Sequence, residues 1–227
     1  MAMKELAPKR LDWTKILAQE ARLSPVLLIK ELAAKYALPA ASVWKSLSRL
    51  AERGVVSRVT HGVYLNKLVR DSSPTDFIGI LNPNSYVSLE SALYHWGLST
   101  QGPATLTCVA TGKPREYRTS DFTISLRTIT NRLLWGYIEI RSRYSNYKIA
   151  EPEKALLDWI YLALQSGVRP SLDELVLTSV DRDKIAKYLD KYPATVRNLL
   201  VNSLAFEHCV TQGTSEASQF SSAKTSR

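Results

Sequence analysis

Cysteine and histidine are scarce in this chain of 227 residues: two cysteines, Cys108 and Cys209, and three histidines, His61, His95 and His208. The cysteines lie far apart with no CxxC or mixed Cys/His spacing, and the histidines form no HxxxH or HxE pattern, so no zinc site is expected. Two plain thiols fit a reduced, cytoplasmic setting. No apolar run approaches the ~18–20 residues that a membrane span needs, and Met1–Arg10 lacks the apolar stretch of a secretory signal. GxSxG, P-loop and GxGxxG motifs are absent, and so is the [DE]-x-K pair common at metal-dependent nuclease sites. The sequence therefore reads as a non-enzymatic chain with no cofactor, no metal and no membrane partner.

What is present is a positive charge confined to one end. Residues 1–70 hold thirteen Lys/Arg against five Asp/Glu, a net of +8, whereas residues 71–227 hold seventeen against sixteen. A field concentrated on one small module is the electrostatic footprint of a phosphate-backbone binder, because each neutralised phosphate releases condensed counterions. With 45% hydrophobic and 22% charged residues, the chain can also bury a real core, and its length allows two modest domains.

Periodicity places a first helix on Leu11, Trp13, Ile16, Leu17 and Ala21. Ser24-Pro25 reads as an N-cap followed by a first-turn proline, opening a second helix to about Tyr36. After the Leu38-Pro39 turn, a third helix is predicted from about Ala40 to Arg53, burying Val43, Leu47 and Leu50 and stopped by Gly54. Val55–Val59 and Val63–Leu65 read as two strands joined at Thr60-His61-Gly62. Three helices and a hairpin is the order of a winged helix-turn-helix. The Ser, Pro and Asn punctuation of residues 66–84 predicts a connector, with 71–84 as linker. A short helix capped by Ser88 and closed by Gly97 follows, then a strand-rich stretch from Ala104 to Ile149 that predicts a small mixed or antiparallel sheet. Helices are predicted from Glu151 and near 171–178, 181–190 and 193–207, and residues 211–227 read as a disordered tail. The expected fold is α+β: an N-terminal winged helix-turn-helix (1–70) followed by a mixed α/β domain (85–210) with a helical C-terminal part.

A helix that reads base edges keeps one stripe apolar and offers short polar or basic tips on the other. With Val43, Leu47 and Leu50 inward, Ala41, Ser42, Trp44, Lys45, Ser48 and Arg49 face out. Ser42, Lys45, Ser48, Arg49, Arg53, Arg58 and His61 are thus the expected double-stranded DNA contacts. Trp44 belongs to the same set, either stacking on a sugar or thymine methyl or packing as core. His61 beside Gly62 fits turn chemistry. A second set of cations, Lys113, Arg115, Arg118, Arg127, Arg132, Arg141, Arg143 and Lys148, lies among aromatic residues; it reads as a solvated sheet face over an aromatic core, with contact to flanking DNA or an RNA as the alternative.

Two later segments carry a resemblance. Tyr86-Val87-Ser88-Leu89-Glu90-Ser91-Ala92-Leu93-Tyr94-His95-Trp96-Gly97-Leu98 resembles the Y-[VI]-S-x-x-S-A-L-x-x-[HW]-G-L segment of the AbiEi-type antitoxin and transcriptional-regulator family, and Ile149–Asp158 (IAEPEKALLD) resembles that family's [IV]-A-x-P-E-[KR]-A-L-x-D. Both stand in family order behind Gly62-Val63-Tyr64, similar to the wing signature there. The resemblance covers roughly residues 24–165. It implies a cytoplasmic autorepressor that binds its own promoter as a monomer or dimer on repeated sites. It also implies an antitoxin that counteracts a co-encoded nucleotidyltransferase toxin without a stable complex. From the residues themselves, Ser88 and Ser91 fit helix caps, Gly97 a C-cap, His95-Trp96 a half-buried aromatic pair, and Glu153, Lys154 and Asp158 architecture. The alternatives are a free-standing winged-helix regulator with a ligand-sensing or dimerising second domain, and a DNA-directed nuclease.

Overall fold

A computed structural model describes residues 11–202, which form an α+β fold. His208, Cys209, the end of the predicted last helix and the predicted tail lie outside the described residues. Two compact units emerge: residues 11–77 with 117–123 and 142–145, and residues 78–116, 124–141 and 146–202.

In the first unit, Asp12 caps α1 (Trp13–Glu20) by accepting hydrogen bonds from the Thr14 and Lys15 amides at 3.1 and 3.4 Å. The Ser24-Pro25 pair does not open a helix. Ser24 Oγ accepts the Val26 amide at 3.0 Å, and Val26–Leu28 forms strand β1. The Pro25 carbonyl accepts the Asn66 amide at 2.8 Å, which seats β1 beside a later strand and delays α2 to Ile29–Lys35. Helix α3 runs Ala40–Glu52. Gly54 at φ +72° stops it, with the Val55 amide closing on the Leu50 carbonyl at 2.9 Å. Strands β2 (Val56–Thr60) and β3 (Val63–Asn66) form an antiparallel hairpin turning at His61-Gly62, and the sheet order is β1-β3-β2. Ile16, Leu17, Leu27, Leu32, Val43, Leu47, Val56 and Tyr64 make one buried cluster. The stretch read as a linker is largely structured. A 3-10 turn, Pro74–Phe77, leads into α4 (Ile78–Leu81), and Asp76, Phe77 and Ile78 are buried. Phe77 packs on Phe122 with ring centroids 5.2 Å apart.

The six-stranded sheet is mixed. Its strands are β4 (Tyr86–Val87), β5 (Thr105–Ala110), β6 (Arg115–Arg118), β7 (Thr123–Thr128), β8 (Tyr137–Arg141) and β9 (Asn146–Ala150), in the order β6-β7-β5-β4-β9-β8. β4 runs antiparallel to β5 and parallel to β9. In the second unit, α5 (Leu89–His95) and α6 (Pro152–Gln165) pack together, followed by α7 (Arg182–Leu189) and α8 (Ala194–Asn202). Gly97 at φ +71° ends α5 as expected. The helix predicted near 171–178 is absent: Leu175 bridges Ser99, and the Val176 amide donates to the Leu98 carbonyl at 2.9 Å, so the apolar residues there serve an extended segment. Among the described residues no helix is long and apolar enough to cross a membrane.

Candidate nucleic-acid interface

Helix α3 follows a tight connection. Ala37 adopts φ +50°, the left-handed region, and the Leu38 amide closes on the Ala33 carbonyl at 2.9 Å to end α2. Pro39 then stands at the N-cap position, where its carbonyl accepts the Ser42 and Val43 amides. The buried side chains of α3 are Val43 and Leu47, so the opposite stripe faces outward.

Along that stripe Lys45, Arg49 and Arg53 follow one another at four-residue intervals and are all exposed, as are Ala41 and Ser42. Arg58 projects from the exposed position of β2, and His61 is exposed at the hairpin turn. Among the described residues none of the Lys45, Arg49, Arg53, Arg58 or His61 side chains has an ion-pair or hydrogen-bond partner. Elsewhere on this unit several cations are neutralised. Lys35 pairs with Glu20 at 2.7 Å, Lys67 with Asp121 at 3.2 Å, and Arg143 with Asp71. Arg22, Lys30 and Arg70 are exposed without partners as well, so α3 and the adjoining hairpin are distinguished by carrying four such cations close together, with Glu52 as the carboxylate at the end of the same stripe.

The expected residues divide into subsets. Ser42, Arg49 and Arg53 line one groove of about 590 Å³ together with Trp13 and Thr14 of α1. Ser46, four residues after Ser42, also lines it and was not singled out from the sequence, although that spacing carries the signal. Trp44 is 42% exposed, which rules out the core placement. Ser48 is only half exposed: its Oγ lies 3.5 Å from the Tyr64 hydroxyl, tying α3 to β3 and turning that hydroxyl away from solvent.

The two motifs of the second unit meet in its core. Lys154 Nζ donates to Asp158 Oδ1, to the Tyr86 hydroxyl at 2.9 Å and to the Tyr192 hydroxyl at 2.8 Å, which uses all three ammonium protons. Asp158 also accepts from the Tyr86, Ser88 and Tyr192 hydroxyls at 3.0, 3.0 and 2.7 Å, so its four acceptor sites are filled. The Lys154 ammonium stands 5.1–5.4 Å from the Tyr86, Trp135 and Tyr192 ring centres. Burial pushes the pKa of Lys154 below its ordinary value, with the facing carboxylate opposing. Both Lys154 and Asp158 are fully buried, with every polar atom satisfied by the chain itself. This arrangement holds elements together and presents no group to a substrate.

Two cap assignments change accordingly. Ser88 occupies the N-cap position of α5 but donates its hydroxyl to Asp158 instead of accepting a helix amide. Ser91 sits inside α5 and bonds to β5, accepting the Thr107 amide at 2.8 Å. Trp96 donates its indole N–H to the Ala150 carbonyl at 2.7 Å, while His95 is exposed and edge-on to it. Glu153 accepts the Asp181 amide at 3.0 Å and lies 3.4 Å from Lys184, which also pairs with Glu151, so the start of α6 anchors α7. A scan against protein-family models finds no match to this chain, and a search of curated proteins finds none either.

Proposed function

We propose that residues 11–77 form a winged helix-turn-helix that binds double-stranded DNA, with α3 as the recognition helix and the β2–β3 hairpin as the wing. The observation that carries this reading is the set of partnerless cations Lys45, Arg49, Arg53 and Arg58, exposed on α3 and the hairpin. An exposed basic helix stripe with a small residue at its start, Ala41, suits approach to a major groove. Unpaired cations beside it supply the sequence-independent attraction to phosphates.

The role proposed for the whole chain is that of a promoter-binding repressor which also acts as an antitoxin against a co-encoded nucleotidyltransferase. It rests on the resemblance of the segments at 86–98 and 149–158 to AbiEi-type proteins. The packing of these two segments on one another, through Val87 beside Ile149 and the Lys154–Asp158 cluster, supports reading them as one structural signature. The test has two arms in cells. A reporter under the chain's own upstream DNA is repressed by the wild type and released by Lys45→Ala with Arg49→Ala. Growth arrested by the neighbouring gene is restored by the full chain. Unchanged repression by the double variant overturns the α3 assignment, and failure to restore growth overturns the antitoxin role.

A further inference from the structure

Strand β8 is the last strand of its sheet, and among the described residues it pairs with β9 alone. Its pairing runs in unbroken antiparallel register, from Tyr137 opposite Ala150 to Arg141 opposite Asn146, with no bulge to twist the outer edge away. The strand holds no proline, so its outer edge is a regular row of amides and carbonyls that a further strand can join. Side chains alternate along it: Tyr137, Glu139 and Arg141 lie on one face, Ile138 and Ile140 on the other. Glu139 and Arg141 are exposed, and Ile138 is 41% exposed. Neither charged side chain has an ion-pair or hydrogen-bond partner among the described residues. Lys148, opposite Glu139 on β9, donates instead to the Pro83 carbonyl at 3.4 Å.

We propose that β8 pairs antiparallel with β8 of a second copy of this chain, about a two-fold axis through Ile140. The charges select both the occupant and the register. With Ile140 opposite its own counterpart, Glu139 stands opposite Arg141 of the second copy, and Arg141 opposite Glu139 of the second copy, so two ion pairs form on one face. On the other face Ile138 lies diagonal to Ile140 of the second copy, which covers the exposed isoleucine. Centring the pair on Glu139 would set two carboxylates against each other, and centring it on Arg141 two guanidiniums; like charges directly opposite disfavour both. Charges on an edge strand ordinarily repel an approaching strand. Here one charge of each sign, two residues apart, makes the edge complementary to itself. The pairing joins two six-stranded sheets into one continuous sheet. A strand pair of five residues is a small interface, so the dimer is expected to be weak and reversible. This inference does not depend on the DNA-binding reading.

The test is sedimentation velocity of the full chain without DNA, over about 1 to 100 µM. The wild type should pass from monomer to dimer as its concentration rises. Glu139→Arg and Arg141→Glu each convert both ion pairs into like-charge pairs, and each should weaken the dimer by roughly tenfold or more. An equimolar mixture of the two variants regains opposite charges at both positions of the mixed pair, so it should associate as the wild type does. A misfolded variant cannot give that rescue. A wild type that stays monomeric throughout overturns the proposal. A dimer that survives both single changes overturns it too, because another surface then holds the copies together. Loss of the dimer in each variant without recovery on mixing also refutes it, since Glu139 and Arg141 are then not opposite one another.

Discussion

Replacing Lys154 by methionine is the sharpest probe of the second unit. The substitution keeps the aliphatic stem and removes the charge. Asp158 then keeps three hydroxyl donors but stays buried as an anion without its cation. Breaking a buried pair from one side costs about 3–5 kcal/mol. The three remaining hydrogen bonds put this case at the lower end, about 3 kcal/mol. The lost contacts of the ammonium with three rings at 5.1–5.4 Å act in the same direction. With a urea dependence of about 2 kcal/mol per molar, the midpoint should fall by about 1.5 M. Adding Asp158→Asn removes the stranded charge, so the double variant should be more stable than the sum of the singles by at least about 1 kcal/mol. The assay is urea unfolding followed by circular dichroism. A Lys154→Met midpoint within about 0.5 M of the wild type, or strict additivity, would show that the cluster is not an energetic unit.

Other predictions follow from single positions. Gly136 has φ +71°, and an added Cβ would lie 3.1 Å from the Lys154 stem, whereas Gly167 has φ +75° with nothing within 4 Å. Gly136→Ala should therefore cost about 1–3 kcal/mol more than Gly167→Ala in matched unfolding curves; equal costs would mean the stem yields freely. Ala37 sits at φ +50° between α2 and α3, so Ala37→Gly should raise the melting midpoint, by about 0.5–1 kcal/mol in stability, where most Ala-to-Gly changes lower it. Tyr36 and Tyr188 are pushed up to about 12, chiefly by burial and then by the Glu20 and Glu151 carboxylates, and Tyr86 and Tyr192 are raised by burial and Asp158. Each folded-state value lies above the unfolded value near 10, so the stability they contribute is whole below about pH 10 and lost as pH rises toward 12. Lys154, lowered by burial, works in the opposite direction. Phenolate absorbance of these tyrosines should rise together with alkaline unfolding; ionisation near pH 10 in a chain still folded by circular dichroism would contradict this.

Much of the first unit was legible because its signals are local. The apolar spacing of Val43 and Leu47 and the stop at Gly54 fix α3, and alternation with Gly62 at the turn fixes the hairpin. Strand β1 was hidden because Ser24-Pro25 imitates a helix start; its true partner, Leu65 opposite Val26, is far along the chain. The same distance concealed the polar cluster. Lys154 and Asp158 form a local i, i+4 pair, but Tyr86, Ser88 and Tyr192 approach it from 34 to 72 residues away. The candidate interface was legible as a list of side chains. That Lys35, Lys67 and Arg143 are neutralised by Glu20, Asp121 and Asp71, while Lys45, Arg49, Arg53 and Arg58 are not paired, requires the fold.

The measurement that bears most directly on the account is duplex affinity against salt for the wild type and for Lys45→Ala with Arg49→Ala. Contacts from Lys45, Arg49, Arg53 and Arg58 imply a slope of log affinity against log salt of about −3 to −4. The wild type should show that value, with the double variant far weaker at low salt, shallower by about two, and approaching the wild type as salt rises. Equal curves for the two proteins, or a wild-type affinity indifferent to salt, would contradict it.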